Sequence, residues 1–273
     1  MSRISFLVPL SFCLLSACGG GASDSSVTPP PPPPPPPVKI NPEGLWHGAA
    51  KSSSNELAID MLADGFGSAY AIANAANGAP AEALFMSGFS SDNFVVGNLN
   101  SSGAGYYRHQ TGGFFESVGS AAMSPQSGST QKSLQFQVTV GINGSDPRTV
   151  TLNYDSQYDK ALTVENLLGK YNSKSPDNAL MSLTLSNLDP NSMLISANPA
   201  CVFSYSRVKP MTDSAKNIYS VAAIFSGSAC AFQGAATGVA YADVGSDGGV
   251  LGLNLLLRET SGKSFFVFQG RKP

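Results

Sequence analysis

Short runs in which apolar and polar side chains alternate are the feature that most limits what this chain can fold into. In residues 134–141 (LQFQVTVG), every second side chain is apolar, and residues 148–155 (RTVTLNYD) repeat the pattern after a turn-forming INGSDP. Alternation with a period of two places the apolar side chains on one face of a β-strand. These two runs therefore predict a β-hairpin. Residues 249–259 and 264–271, joined by TSGK, predict a second one.

Similar runs recur after residue 44, and no stretch keeps a period of 3.6 residues. Residues 158–170 are the best helix candidate, for one or two turns. The pattern indicates an all-β protein with one face of each sheet toward water or a polar lumen. In the first half, strands are expected near 45–50, 57–63, 67–74, 82–90, 94–100, 113–122, 134–140 and 148–154. In the second half, they are expected near 168–173, 180–186, 192–197, 201–209, 217–225, 234–242, 249–258 and 264–271.

The two halves open alike, with Gly44-Leu45-Trp46 in the first and Gly169-Lys170-Tyr171 in the second. This indicates a divergent tandem repeat of about 115 residues. Eight up-and-down strands favour a small closed barrel, because closure removes exposed sheet edges. We therefore expect two tandem antiparallel, calycin-like β-barrel modules, over 41–157 and 158–273. One intertwined sandwich of sixteen strands is the alternative.

The N-terminus has the pattern of a secretory signal peptide over residues 1–17. Arg3 precedes an apolar stretch over 4–14 that is too short to span a membrane, and small residues follow it. Residues 15–18 (LSAC) resemble the lipobox of bacterial lipoproteins. That resemblance implies that Cys18 becomes the first residue of the mature chain and carries the lipid. An ordinary signal peptide with a chance cysteine is the alternative.

Multiple acyl chains on Cys18 would anchor the protein stably, where a single chain would not. Gly19 follows this cysteine where an Asp would favour the inner membrane, so the resemblance implies the outer membrane and leaves the periplasmic face or the cell surface open. Residues 18–40 form a Gly-, Ser- and Pro-rich linker. Its nine prolines, Pro29–Pro37, predict a polyproline II spacer of roughly 28 Å.

Cys201 and Cys230 are the two cysteines left for the folded region, because Cys13 leaves with the signal. In an oxidising compartment they predict a disulfide, which stabilises by about 3–4 kcal/mol when it closes a loop of this length. Free thiols or a metal site are the alternatives. A zinc site would need further ligands, and both histidines, His47 and His109, lie in the first half.

Five segments of the second half form a further pattern: YDSQYDKALTVENLLGKY (154–171), ACVFSYSRVKP (200–210), NIYSVAAIF (217–225), SAC (228–230) and GAATGVAYAD (234–243). With the lipobox and the Pro-rich spacer, they resemble a family of uncharacterised proteobacterial envelope lipoproteins, Burkholderia-like and Pseudomonas-like, which have a tandem β-repeat. Ala200 stands where the family usually has a glycine before the first cysteine. The resemblance implies a location in the cell envelope and a β-fold, and it implies no biochemical activity.

No hydrolase, phosphate-binding or metalloprotease motif is found in the sequence, so we expect no enzyme, no cofactor and no metal site. The net charge of −2 gives no basis for nucleic-acid binding. Trp46 is expected to plug the core, and His47 to be a polar residue on an exposed strand face. Asp60 and Asp64 form an acidic pair without a sign of a cleft, so glycoside hydrolysis is not expected.

Tyr106, Tyr107, Arg108 and His109 lie in the densest aromatic stretch, GYYRHQTGGFF. Since tyrosine and arginine are favoured contact residues, these four residues are candidates for a rim that binds a partner. The alternative is a plain loop between two strands, followed by Phe114 and Phe115 in the core. The acidic DVGSDGG segment (243–249) lacks the register of a calcium loop and is expected to be a hairpin turn.

These features together predict a lipid-anchored envelope lipoprotein with a non-enzymatic binding or structural role at the outer membrane. It contacts the membrane through its N-terminal lipid, and its partner would be an envelope or host protein or a glycan. Gly44 and Trp46 also match the Gly-x-Trp pattern of lipocalins. A lipocalin-like carrier of small apolar ligands is therefore the alternative, and it requires an internal apolar cavity.

Overall fold

The structure, a computed structural model, describes residues 30–36, 39–89, 94–95, 98–99, 102–125, 130, 132–141, 146–175, 177–187, 192–196, 201–211 and 216–273. The chain divides into two compact units, 1–36 and 37–273. In the first unit, the described prolines are exposed and have no regular secondary structure. Cys13, Cys18 and the signal segment 1–17 lie outside the described residues, as does most of the linker.

The described residues of the second unit are all-β apart from two short 3₁₀ turns, at 156–159 and 164–167. The second turn falls in the segment predicted as the best helix candidate, 158–170, and the first overlaps its start. The strands before them are β1 (Gly44–Lys51), β2 (Glu56–Ala63), β3 (Gly67–Asn74), β4 (Pro80–Phe89), β5 (Phe94–Val95), β6 (Asn98–Leu99), β7 (Ser102–Thr111), β8 (Phe114–Pro125), β9 (Ser133–Val140) and β10 (Asp146–Asp155). Those after them are β11 (Gly169–Lys174), β12 (Leu180–Asn187), β13 (Ser192–Ser196), β14 (Val202–Pro210), β15 (Tyr219–Ser226), β16 (Gly234–Val244), β17 (Val250–Glu259) and β18 (Ser264–Arg271).

An eight-stranded antiparallel barrel closes in the second half of the chain. Strands β11 to β18 pair in chain order, and β18 pairs back with β11 through Arg271 and Asn172. All eight strands predicted for this half are present. Both predicted hairpins are confirmed, as β9 with β10 and as β17 with β18. Closure leaves this sheet without a free edge, which is the reason to expect a barrel from short up-and-down strands.

The remaining strands of the sheet continue from β18 in the order β8, β7, β4, β3, β2, β1, β10, β9, and β8 also pairs with β9. Strand β7 corrects the sequence analysis, which gave its residues as a rim or a loop. One strand was predicted near 94–100 as part of the main sheet. The structure instead has two short strands there, β5 and β6, which pair with each other in a separate two-stranded sheet. Alternation did not reveal β7 because Tyr106 and Tyr107 point to opposite faces and are both buried.

The buried side chains that the structure describes form three cores. One fills the closed barrel and includes Phe225, Leu255 and Phe268. A second packs inside the first-half strands around Trp46, which is fully buried as predicted, and Phe136. The third, which we call the seam core, lies between outward faces of the two sets of strands. Its members are Leu45, Leu62, Tyr70, Ile72, Ala83, Tyr107, Phe115, Tyr158, Ile218, Val239, Tyr241, Leu256, Phe265 and Val267.

The seam core explains why β17 and β18 lose their alternation of burial. Leu253, Leu255 and Leu257 face the barrel interior, whereas Leu256 faces the seam core. A strand buried on both faces needs apolar side chains at successive positions. At the seam, β18 also pairs with β8, and Phe265 lies opposite Phe115.

Gly113 fits this junction because it has a positive φ of 83° and no side chain. Its carbonyl accepts a hydrogen bond of 2.8 Å from the Val267 amide. A Cβ at this position would lie 2.7 Å from the Val267 carbonyl oxygen. A larger residue would therefore force β8 and β18 apart.

Cys201 and Cys230 form the predicted disulfide. It joins the start of β14 to the loop that precedes β16. Within the described residues, no helix is long and apolar enough to cross a membrane.

We expect Phe265→Ala to destabilise both halves together, because Phe265 is fully buried in the seam core. Removing a buried phenylalanine side chain costs about 3–5 kcal/mol. Urea unfolding of the full chain should show this loss both in Trp46 fluorescence, which reports the first half, and in circular dichroism, which reports the whole protein.

Phe66→Ala is the matched control, since Phe66 is 70% exposed and its loss should change stability by about 0.5 kcal/mol or less. A Phe265→Ala protein whose Trp46 transition stays at the original urea concentration would show that the seam core does not couple the halves.

Candidate functional site

A polar groove lies where the first-half strands meet the closed barrel, and it encloses about 530 Å³. We call it the junction groove. Both halves contribute side chains to it. Its polar lining residues are His47, Asp60, Asn74, Gln157, Tyr241, Asp243, Asn254, Gln269 and Arg271.

His47 is held between two carboxylates on the first-half side of the groove. Strand pairing puts His47 directly opposite Asp60, and its Nδ1 lies 2.6 Å from an Asp60 oxygen. Its Nε2 lies 2.8 Å from Asp155, at the end of β10. With both ring nitrogens facing carboxylate oxygens, His47 is best accommodated as an imidazolium that donates twice.

The two carboxylates are themselves held in place. Asp60 accepts a second hydrogen bond from the Asn74 side chain, at 3.1 Å. Asp155 accepts a hydrogen bond of 2.8 Å from the backbone N–H of Gln157 and so caps the 3₁₀ turn that follows β10. The His47 ring is therefore oriented by groups from β2, β3 and β10.

Hydrogen bonding to Asp60 is the main cause that raises the pKa of His47 above its usual value. Burial opposes this shift, and the charges of Asp60 and Asp155 add to it. Because no lone pair on the ring remains free, this histidine cannot serve as a general base in the observed arrangement. The sequence analysis took His47 as an exposed polar residue and missed this cluster.

On the other side of the groove, strand register builds two rows of side chains across β16, β17 and β18. Tyr241 pairs with Asn254, which pairs with Gln269. In the next row, Gly252 separates Asp243 from Arg271. The Asn254 amide donates to Asp243 at 2.9 Å and links the two rows.

Gly252 lets Asp243 and Arg271 meet across the middle strand, where their charged atoms lie 3.0 Å apart. A Cβ on Gly252 would approach Asp243 Oδ2 to 2.6 Å. Tyr241 closes the floor of the groove, and burial raises the pKa of its hydroxyl well above its usual value. Tyr241 is therefore a neutral hydrogen-bonding group at ordinary pH.

The junction groove thus carries amide and hydroxyl groups together with two cations, His47 and Arg271, and two carboxylates in contact with them, Asp60 and Asp243. Asp155 contacts His47 from outside the lining. This set can make many directional hydrogen bonds to a polar ligand. Among the described residues, no group of three or more His, Cys, Asp or Glu side chains is arranged to hold a metal ion.

The structure does not bring the four residues of the predicted rim together on one surface. Tyr106 is buried in the first-half core and donates to Glu82 at 2.8 Å, and Tyr107 is buried in the seam core. Arg108 is exposed, and its Nε donates to the Tyr106 hydroxyl at 3.3 Å. The proposed partner-binding role stays a prediction for these residues.

His109 is half-buried and packs edge-on against Phe115. Burial lowers the pKa of its imidazole. Asp64 accepts backbone hydrogen bonds from Phe66 and Ser68, so it serves the turn between β2 and β3 instead of acting beside Asp60. The DVGSDGG segment forms the predicted hairpin turn, although its first residue, Asp243, belongs to the junction groove.

Comparisons with protein-family models, with curated proteins and with solved structures found no match to this chain.

We expect the His47 pairs to stabilise the fold most at acidic pH. A raised folded-state pKa means that this stabilisation is complete below about pH 6.5 and is lost as the pH rises through the higher value. The His47 side chain is 41% exposed, so solvent screens the pairs and the effect should be about 1 kcal/mol or less.

The measurement is the free energy of unfolding of the full chain between pH 5 and pH 9, compared with His47→Gln. The difference in the free energy of unfolding between the two proteins should shrink as the pH rises. The same pH-dependent difference should be seen when His47→Gln is made in a His109→Gln protein, because His109 is not part of this cluster. A difference that grows toward alkaline pH would contradict the assignment of a doubly donating imidazolium.

Proposed function

We propose that this chain is a lipid-anchored lipoprotein of the outer membrane, without enzymatic activity, that binds a hydroxyl-rich ligand such as a glycan in the junction groove. Its folded part would consist of two tandem eight-stranded modules. The single observation that carries the binding role is the junction groove itself, which is lined by polar side chains from both halves. The anchor rests on the resemblance of residues 15–18 to a lipobox.

The two-module organisation is supported by the order of strand pairing. Taken in sequence, β1, β2, β3, β4, β7, β8, β9 and β10 are each neighbours of the next, and β10 pairs with β1. Strands β11 to β18 follow the same up-and-down order. Separate interior cores for the two sets support the same division.

A hydroxyl-rich ligand suits the groove because carboxylates, amides and arginine can each satisfy sugar hydroxyls, with acceptors and donors side by side. The volume of about 530 Å³ lies within the range of small-molecule sites. An apolar ligand would leave these polar groups without partners, at a cost of about 1–3 kcal/mol for each buried one.

The packing of the closed barrel favours this role over a lipocalin-like carrier. Phe114, Phe225 and Phe266 contact one another in its interior. The space beside them, which Met181 and Leu183 also line, is about 10 Å³. That is about the space for one water molecule, far below what a carried ligand needs.

The lipid anchor predicts that the mature protein begins at Cys18 and carries acyl chains. Mass spectrometry of the N-terminal peptide should find them, and Cys18→Ala should release the protein from the membrane fraction. Cys13→Ala is the control and should stay anchored, because Cys13 leaves with the signal. An unmodified mature N-terminus elsewhere in the chain would overturn the anchor.

The binding role predicts that Gln269→Leu weakens binding of an envelope oligosaccharide by about tenfold or more, since a lost hydrogen bond leaves a polar ligand group unpaired. The probes are oligosaccharides from lipopolysaccharide core and from peptidoglycan, titrated calorimetrically into the full chain in detergent. Gln137→Leu makes the same change on an exposed face of β9 and should bind like the original protein.

Equal affinity of Gln269→Leu and Gln137→Leu would show that the ligand does not use the junction groove. Absence of saturable binding by every oligosaccharide would overturn the glycan assignment, as would binding that is confined to a protein partner.

A further inference from the structure

A second groove lies on the outer face of β14, β15 and β16, and the junction groove does not use any of its residues. It encloses about 440 Å³. We call it the cationic groove. Strand register places Lys209 opposite Ser220, and Arg207 opposite Ala222, which in turn pairs with Thr237. Small side chains thus form the floor, and the longer side chains of β14 form a wall.

Arg207 and Lys209 give the cationic groove two positive charges on one strand face. Within the described part of the chain, neither makes an ion pair, and the described lining includes no carboxylate. The other four described arginines all have polar partners: Arg108 with Tyr106, Arg148 with Glu82, Arg258 with Tyr107 and Arg271 with Asp243.

The Nε atom of Arg207 is buried and has no hydrogen-bond partner among the described residues. A buried donor without an acceptor costs about 1–3 kcal/mol, so such groups call for an explanation. An anion bound in this groove would supply the missing acceptor. It would also compensate the charge of Lys209, which is exposed beside it.

Apolar side chains flank the two cations. Tyr205 is 43% exposed and lies opposite Ile224, which is 41% exposed. Met211, which directly follows β14, lines the groove at its other end, and Tyr70 reaches the groove from β3. A ligand that fits this surface therefore has an anionic group and an apolar or aromatic body next to it.

We propose that the cationic groove binds a soluble phosphate monoester that carries an apolar or aromatic substituent. Two adjacent cations match the two charges of such an ester. The planar guanidinium of Arg207 can donate to two phosphate oxygens at once, and Lys209 adds a second charge-assisted contact. The Thr237 hydroxyl provides a further donor within the groove.

This inference does not rest on the ligand of the junction groove, because the two sites share no lining residue. Loss of glycan binding in Gln269→Leu would leave the cationic groove intact. Conversely, the variants described below leave the junction groove unchanged, so the two proposals fail separately.

The test is calorimetric titration of the full chain in nonionic detergent with phenyl phosphate, inorganic phosphate, phenylacetate and phenol. Phenyl phosphate should bind most tightly, inorganic phosphate and phenylacetate more weakly, and phenol not measurably. Arg207→Gln with Lys209→Gln should weaken the binding of phenyl phosphate by at least about tenfold. Raising the salt concentration should weaken it as well.

The matched control is Lys132→Gln with Lys174→Gln, which removes two charges from exposed positions elsewhere. It should retain the original affinity. Circular dichroism melting checks that both double variants are folded, and Lys209→Gln alone, at an exposed position, provides a mild variant if the double change unfolds the protein.

Three results would overturn the proposal. One is equal affinity of the groove variant and its control for phenyl phosphate. Another is binding of phenol as tight as that of phenyl phosphate. The third is absence of saturable binding by every soluble probe, including the case in which the protein binds only vesicles that contain phosphatidic acid, which would assign the groove to a lipid headgroup instead.

Discussion

The packing of two outward sheet faces against each other, in the seam core, is the constraint on which the rest of this structure depends. An antiparallel sheet normally leaves one face in water, and here part of that face is apolar and covered. Phe265 and Phe115 lie opposite each other where β18 pairs with β8, and their side chains belong to the seam core. The same contact that joins the halves therefore also fixes the positions of β16 and β17 beside the first-half strands.

The seam core also decides how far the fold could be predicted from the sequence. Strands that face water on one side, such as β9 and β10, keep the alternation that identifies them. Strands near the seam are buried on both faces, and there the pattern is lost. Tyr106 and Tyr107 are successive buried residues of β7 in two different cores, so their segment looked like an aromatic loop. The second half was predicted strand by strand, because its turns remain readable and because small or polar residues, such as Gly252 and Asn254 in β17, still alternate with the leucines.

The candidate site follows the same division between local and long-range information. Hairpin register alone could have placed His47 opposite Asp60, since β1 and β2 are joined by a short turn. Asp155 lies 108 residues away in the chain, and it reaches His47 because β10 pairs with β1. The rows that contain Tyr241 and Arg271 can be derived from consecutive hairpins. Their position across a groove from His47 depends on the packing of the two halves, which no local pattern encodes.

Both grooves border the seam core, and the difference in their charge explains how one junction can offer two kinds of site. Tyr241 lines the junction groove and Tyr70 lines the cationic groove, and both tyrosines belong to the seam core. Two curved sheets in contact leave concave surfaces where they diverge, so the fold itself supplies the space. The side chains then determine the chemistry: carboxylates balance His47 and Arg271 in one groove, whereas in the other Arg207 and Lys209 have no such partners among the residues that the structure describes. Because strand register sets which side chains border each groove, a change of ligand class would require only substitutions on outward positions and would leave all three cores untouched.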